Sequence, residues 1–304
     1  MCTSPKKAWM PIEADQDNKK TLLFKPPVVS KLKLYENIET PCNHCIACEK
    51  LRALRTAVQL ACELNTTPGE SWFITLTYDD ENLPNDFSVH KDHLQKFLKR
   101  LRKWRIKTDH VGNFRYLSQG EYGGKFQRPH MHLAGFNLTI PDLQSVASKG
   151  KYPAFESETI TKLWGKGNIH LIRLCFENCL YIAQHHIDEK VDNKVKVHET
   201  PIRHPVTNEL IKIRNPEFST RSSRPGIGKD FFEKYFSDIY PHDFMINGGQ
   251  KMPVPKYFDN LLKEQAPDIY EEIKQKRSDK VEQKTPGQNR YQDNFNKAKL
   301  KSQK

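Results

Sequence analysis

The sequence predicts an α+β protein: an antiparallel sheet with flanking helices, preceded by a helical segment and followed by a C-terminal extension. Three stretches carry this prediction. "SWFITLTY" at 71–78 is dense in β-branched and aromatic residues and bounded by "TTPGE" and "DDENLPND", the signature of a strand between turns. "SVHKDHLQKFLKRLRKWRIK" sets Leu94, Phe97, Leu98, Leu101 and Trp104 on one stripe at helical spacing. "NFRYLSQGEYG" and "HMHLAGFNL" alternate like strands and are joined through Gly123, Gly124 and Pro129, which reads as an antiparallel hairpin.

The elements follow in order. Residues 1–40, with Pro26, Pro27 and scattered lysines, show little periodicity and are expected to be an extended lead-in. From Cys45 a helix is predicted, because Ala47, Leu51, Leu54, Val58 and Ala61 recur at three- and four-residue steps until "TTPGE". After the hairpin, "SETITKLWGKG" reads as a helix closed by Gly165, "NIHLIRL" as a strand and "FENCLYIAQHHIDE" as an amphipathic helix. The order β-α-β-β-α-β-α is the split βαβ, ferredoxin-like arrangement with an added helix. Helices on one face of such a sheet are expected to leave the other free for a polymer. Residues 41–190 then form the main domain, including its Cys-rich helical segment, and 191–260 a C-terminal extension. Residues 261–304 are expected to be a basic, disordered tail.

At 304 residues the chain has ample material for a core. A charged fraction of 28% and a mean hydropathy of -0.76 describe a polar surface, and no apolar run is long enough to span a bilayer. "MCTSPKKAWMPIEADQDNKK" lacks the apolar stretch of a secretory signal, so the protein is expected to stay where it is made. A formal charge of +12 and a pI near 9.2 attract polyanions, above all nucleic acid, although many basic proteins bind none. The lysines and arginines of the predicted helix around Leu98 are read first as a solvated face and second as phosphate contacts. Seven cysteines include Cys42, Cys45 and Cys48 in "PCNHCIACEK". These three, with Cys62 or Cys2 as a fourth ligand, suit a structural Zn²⁺; equally, they suit buried thiols capping the first helix.

In the hairpin, His130 and His132 are two residues apart and so project to one face of their strand, with Met131 on the other. Glu121 and Gln119 alternate onto one face of the partner strand and can supply a third ligand. Two histidines and a carboxylate leave coordination positions open for a substrate oxygen, which suits Mn²⁺, Mg²⁺ or Zn²⁺. Histidines at this spacing also arise by chance on exposed strands. Arg128, Lys125 and the Gly-Gly loop beside them favour a metal that polarises a phosphate. Tyr181, on the helix after the fourth strand, is a candidate nucleophile for a phosphodiester; its position between Leu180 and Ile182 equally suits core packing. "RSSRPGIG" sets Arg221, Arg224 and Lys229 around a turn that either holds a phosphate on its backbone N–H groups or is simply basic surface.

The set "PCNHCIACEK", "FITLTYDDENLP", "LSQGEYGGKFQRPHMHLAGF" and "RSSRPGIGKDFF" closely resembles the replication initiator proteins of microviruses, the small single-stranded DNA bacteriophages, specifically of the gokushovirus type. The resemblance runs from about Cys42 to Asp259. That family belongs to the HUH endonucleases, whose His-hydrophobe-His triplet is matched by His130-Met131-His132. The resemblance implies a rolling-circle initiator: a tyrosine attacks a phosphodiester at the origin, the protein becomes joined to the 5′ phosphate, and the free 3′ hydroxyl primes synthesis. Glu121 matches the carboxylate ligand and Tyr181 the nucleophile, with Mg²⁺ or Mn²⁺ at the histidines. Relatives often carry a second tyrosine four residues after the first. Here that position is His185, which shares a helix face with Tyr181 by spacing and can serve as a base or a ligand, with Lys190 as a weaker match to a nearby lysine. A single-tyrosine mechanism is therefore implied.

The implied partners are single-stranded DNA at the viral origin and the host replication helicase and polymerase, in the host bacterial cytoplasm and without a membrane. Two other readings remain at this point. One is a non-catalytic, zinc-stabilised nucleic-acid-binding protein, and the other a metal hydrolase that uses a water nucleophile.

Overall fold

A computed structural model describes residues 2–13, 21–108, 110–148, 150–190 and 197–279. The chain divides into two compact units, one built on residues 1–52 and the other on 53–189 and 193–277. In the first, β1 (Lys6–Pro11) pairs antiparallel with β2 (Tyr35–Thr40) over their full length, and α1 (Ile46–Thr66) begins after them.

The chain continues through β3 (Trp72–Thr77), α2 (Lys91–Lys107), β4 (Arg115–Tyr122), β5 (Pro129–Phe136), β6 (Leu143–Val146), β7 (Ala154–Ser157), α3 (Glu158–Trp164), β8 (Ile169–Arg173) and α4 (Phe176–Lys190). Then come β9 (Ile202–Arg203), β10 (Leu210–Ile211), β11 (Phe218–Arg221), α5 (Lys229–Ile239), β12 (Met245–Asn247), β13 (Gln250–Met252), α6 (Lys256–Gln265) and α7 (Pro267–Asp279). Seven strands form one sheet in the order β11-β4-β5-β3-β8-β7-β6, every neighbouring pair antiparallel. The protein is thus an α+β fold around a large antiparallel sheet. The β6–β7 hairpin and β11 extend that sheet beyond the strands read from the sequence. Each is only four residues long, and "LQSV" and "AFES" are too short and polar to stand out by alternation.

Period-two alternation sorts the two faces of the sheet. Trp72, Ile74 and Leu76 of β3, Met131 and Leu133 of β5, and Leu171 of β8 are all fully buried in one cluster with Leu94, Phe97 and Leu101 of α2 and Ile160 and Trp164 of α3. The stripe that predicts α2 is the stripe that packs. Ser157 caps α3 by accepting a hydrogen bond from the Ile160 N–H, and Gly165, at φ 61°, ends it in the left-handed region where glycine carries no Cβ penalty. The indole N–H of Trp164 donates to the Thr77 carbonyl at 2.9 Å, locking α3 onto the end of β3.

Two expectations change. The second sheet face is not bare: α4 lies against it, with the Gln119 side-chain amide donating to the Ile182 carbonyl at 2.6 Å. Residues 261–279 do not open a disordered tail, since they complete α6 and form α7. Ile273 is buried in an apolar cluster with Phe232, Phe258 and Leu262, and Arg277 clamps two carboxylates, with Nε 2.8 Å from Asp243 Oδ2 and Nη1 2.9 Å from Asp259 Oδ2. A helix held by one apolar anchor and one bidentate cation barely registers in composition. The rest of the predicted tail, 280–304, lies outside the described residues.

Removing the fully buried Trp164 side chain leaves a large cavity and an unpaired Thr77 carbonyl. Trp164→Ala should destabilise the protein by about 3–5 kcal/mol, read as a lower urea midpoint with an unchanged slope.

Candidate functional site

Strand register assembles the site. Between β4 and β5, Glu121 stands opposite His130 and Gln119 opposite His132; between β5 and β3, His130 stands opposite Thr77 and His132 opposite Thr75. All six residues share the sheet face turned away from α2. His130 Nε2 lies 3.1 Å and His132 Nε2 2.9 Å from the same oxygen, Glu121 Oε1. One ligand atom from each residue falls within a single group no wider than 4.8 Å.

That geometry can be tested against a cation. Donors about 2.1 Å from a metal and 90° apart are separated by about 3.0 Å, the edge of an octahedron. The two nitrogen–oxygen separations match this edge, so the residues fit a divalent ion with little movement. Their outer contacts prepare them for it. The Arg128 carbonyl, 3.1 Å from His130 Nδ1, can only accept, so Nδ1 carries the hydrogen and Nε2 is left to ligate. Thr75 Oγ1, 3.0 Å from His132 Nδ1, orients the second ring in the same way. Phe73 stacks on His132 with ring centroids 5.0 Å apart.

The side chains of Glu121, His132 and His130 are only 3%, 9% and 17% exposed, so their charges are weakly screened. Burial opposes the charged form of His130. The hydrogen bonds to Glu121 and the Arg128 carbonyl, with the Glu121 charge, outweigh it and hold the imidazolium to a higher pH than usual. Tyr181 moves upward too, first through burial and then through the negative charge of Glu121.

Tyr181 sits on α4 beside the cluster. Its ring is 48% exposed and meets Phe73 and His132 edge-on, at centroid distances of 5.9 and 5.7 Å. It is a rim residue, and the core-packing alternative does not describe it. Gln119, offered from sequence as another ligand, instead bonds the backbone of α4 one residue past Tyr181 and so fixes the helix over the histidines. His185 and Lys190 lie in the same helix, with side chains outside the described residues.

The basic residues are distributed differently. Arg128 turns inward, donating to the Tyr78 carbonyl at 2.9 Å and to Asp80 at 2.7 Å. Lys125 stands exposed on the β4–β5 loop, its ammonium 5.1 Å from the Phe126 ring centroid. Arg221 and Arg224 are exposed, and Lys229 pairs with Glu233 at 3.1 Å. The "RSSRPGIG" turn does not offer the backbone cradle expected of it. The Gly226 N–H donates to the Tyr257 hydroxyl at 3.0 Å and the Gly228 N–H to Glu63 Oε2 at 2.6 Å, while Glu63 also pairs with Arg115 at 2.8 Å. Cys42, Cys45 and Cys48 gather with Cys2 in the first unit, and Cys62 is buried in the apolar cluster around Phe232 in the second. Thr75 and Phe73 are the site residues that the sequence reading passed over. Alternation in "FITLTY" was the available signal, since it sets both on the face opposite Ile74 and Leu76.

The sheet and its cluster define a class: an α+β protein with a two-histidine, one-carboxylate candidate metal centre and a tyrosine on an adjacent helix. The family model for the replication-associated protein ORF2 matches residues 71–189, from β3 into α4. The chain is 31% identical over 263 residues to the replication-associated protein ORF2 of Spiroplasma virus 4, covering 82% of this chain and 76% of that one. It is 29% identical over 239 residues to the replication-associated protein VP4 of Bdellovibrio phage phiMH2K, covering 76% and 70%, and 25% identical over 235 residues to the replication-associated protein ORF4 of Chlamydia phage 1, covering 73% and 53%. No solved structure matches the chain. The chain belongs to the family of replication-associated proteins of microvirus-like phages.

A metal at this centre must displace the proton that Glu121 helps His130 to hold. Because that pKa is raised, Mn²⁺ affinity should fall as pH drops through it and level off above it. Thr75→Val should weaken Mn²⁺ binding about 10–100-fold through loss of ring orientation. Calorimetric titration across pH checks both.

Proposed function

We propose that this protein initiates phage DNA replication as a single-strand endonuclease and ligase of the HUH type, with β3, α2, β4, β5, α3, β8 and α4 as its split βαβ, ferredoxin-like framework. The framework reading is supported by the antiparallel order β4-β5-β3-β8 with helices between β3 and β4 and before β8. The observation that carries the activity is the Tyr181 ring, half-exposed and 5.7 Å from the ring of His132.

In the proposed reaction Tyr181 Oη attacks the scissile phosphorus at the viral origin. The Oη–P bond forms as the P–O3′ bond breaks, so the protein takes the 5′ phosphate and the strand keeps a 3′ hydroxyl. The phenol proton passes to His185, four residues along α4, and the departing O3′ takes up a proton. Rejoining reverses these steps. Mg²⁺ or Mn²⁺ held by Glu121, His130 and His132 would polarise the scissile phosphate and offset the Glu121 charge that disfavours a phenolate at Tyr181. Thr75 and Gln119 position this machinery: Thr75 holds the His132 ring, and Gln119 holds α4. The exposed Lys125, Arg221 and Arg224 are assigned to phosphate contacts. Arg128, bonded to Tyr78 and Asp80, is assigned to shaping the loop. No described helix is long and apolar enough to cross a membrane, and the host bacterial cytoplasm, with its replication helicase and polymerase, is the proposed setting.

Labelled single-stranded origin DNA with Mn²⁺ should give a covalent adduct on a denaturing gel, and Tyr181→Phe should abolish the adduct while leaving DNA binding intact. Cleavage without an adduct in the unmodified protein would assign the chemistry to water instead.

A further inference from the structure

We propose that Cys2, Cys42, Cys45 and Cys48 together bind one structural Zn²⁺, a second metal centre independent of the histidine site. One sulfur from each lies within 4.8 Å of all the others. A tetrahedral Zn²⁺ with Zn–S bonds of about 2.3 Å requires sulfurs about 3.8 Å apart, and Cys2 and Cys45 already stand 3.9 Å apart. The remaining closure is within the reach of side-chain rotation.

The backbone around these sulfurs is arranged for thiolates. The Cys42 N–H points at Cys2 Sγ at 3.3 Å, and the Cys45 and His44 N–H groups point at Cys42 Sγ at 3.3 and 3.5 Å. Asn43 makes this possible. At φ 62° it takes the left-handed conformation that asparagine tolerates, which folds the Cys42–Cys45 segment back over its own first sulfur. Arg52 fixes the turn by donating to the Asn43 carbonyl at 2.9 Å. Such N–H···S contacts favour the deprotonated sulfur that ligates a metal.

The sequence left the fourth ligand open between Cys2 and Cys62, and geometry selects Cys2. Cys62 is 2% exposed among Val58, Phe232 and Phe258, with no place in the sulfur group. His44, between the cysteines, is exposed and also outside it. A disulfide would use two sulfurs and leave the other pair crowded, whereas one tetrahedral ion uses all four. Four thiolates select Zn²⁺ over Mg²⁺ or Mn²⁺, which prefer oxygen donors. The ion ties residue 2 to the start of α1 and encloses β1 and β2 in the loop so closed. A short ribbon with few buried apolar residues gains most from such a staple.

The full-length protein, dialysed against Mg²⁺ buffer, should retain one equivalent of zinc by metal analysis. Exchange with Co²⁺ should produce thiolate-to-cobalt charge-transfer absorption. Cys2→Ser should lose about a quarter of that intensity, while Cys62→Ser and the double variant His130→Ala/His132→Ala should keep all of it. If Cys2→Ser fails to fold by circular dichroism, the unmodified protein decides: stripping its zinc should release four thiols per ion to alkylation. Absence of zinc, full cobalt absorption in a folded Cys2→Ser, loss of absorption in Cys62→Ser, or fewer than four thiols released would each overturn the proposal.

Discussion

The position of β5 between β4 and β3 is the constraint on which the rest of the site depends. With Glu121 opposite His130 and His132 opposite Thr75, three strands put ligands and ligand-orienting groups on one face and Ile74, Leu76, Met131 and Leu133 on the other. A one-residue slip of β5 would bury both histidines under α2 and expose Met131 and Leu133. The hydrophobic effect that packs α2 and α3 onto the sheet thus also holds the histidines in register. Core stability and site geometry are one property here, because a single alternation serves both.

The same alternation decides what was legible in the sequence. The His130–His132 pair, Glu121 across the hairpin, and the main strands and helices all rest on local periods, and local periods survive without knowledge of tertiary contacts. The features that escaped depend on partners distant along the chain. Gln119 looked like a ligand until α4 lay down beside it, 63 residues on. The N–H groups of the "RSSRPGIG" turn looked available until Tyr257 and Glu63 took them. α7 was hidden because its anchors, Ile273 and Arg277, act through residues of α5, α6 and their connections.

Gln119 and Thr75 show how a sheet site is finished by its neighbours. Neither needs to touch a substrate. Thr75 constrains one imidazole by a side-chain contact across β3–β5, and Gln119 ties the backbone beside Tyr181 to the strand that carries Glu121. The tyrosine is therefore positioned through β4, the strand that also supplies the carboxylate. Distance between nucleophile and metal ligands is set by one strand and one helix, with few intermediate joints in which error can accumulate.

The net charge of +12 gives a misleading picture of the site itself. α2, the most basic helix, packs on the opposite sheet face, and its Arg100 is spent on the Leu163 and Trp164 carbonyls at the end of α3. Arg105 is buried, and Arg128 faces Tyr78 and Asp80. What remains at the centre is a buried carboxylate, Glu121, whose field repels a phosphate and disfavours a phenolate. The proposed order of events follows from this. A polyanion drawn to the protein by its distant positive charge meets a locally anionic centre, and only a divalent cation at Glu121, His130 and His132 reverses the local sign. Metal binding then precedes productive placement of the scissile phosphate, and long-range attraction and local chemistry are carried by separate sets of residues.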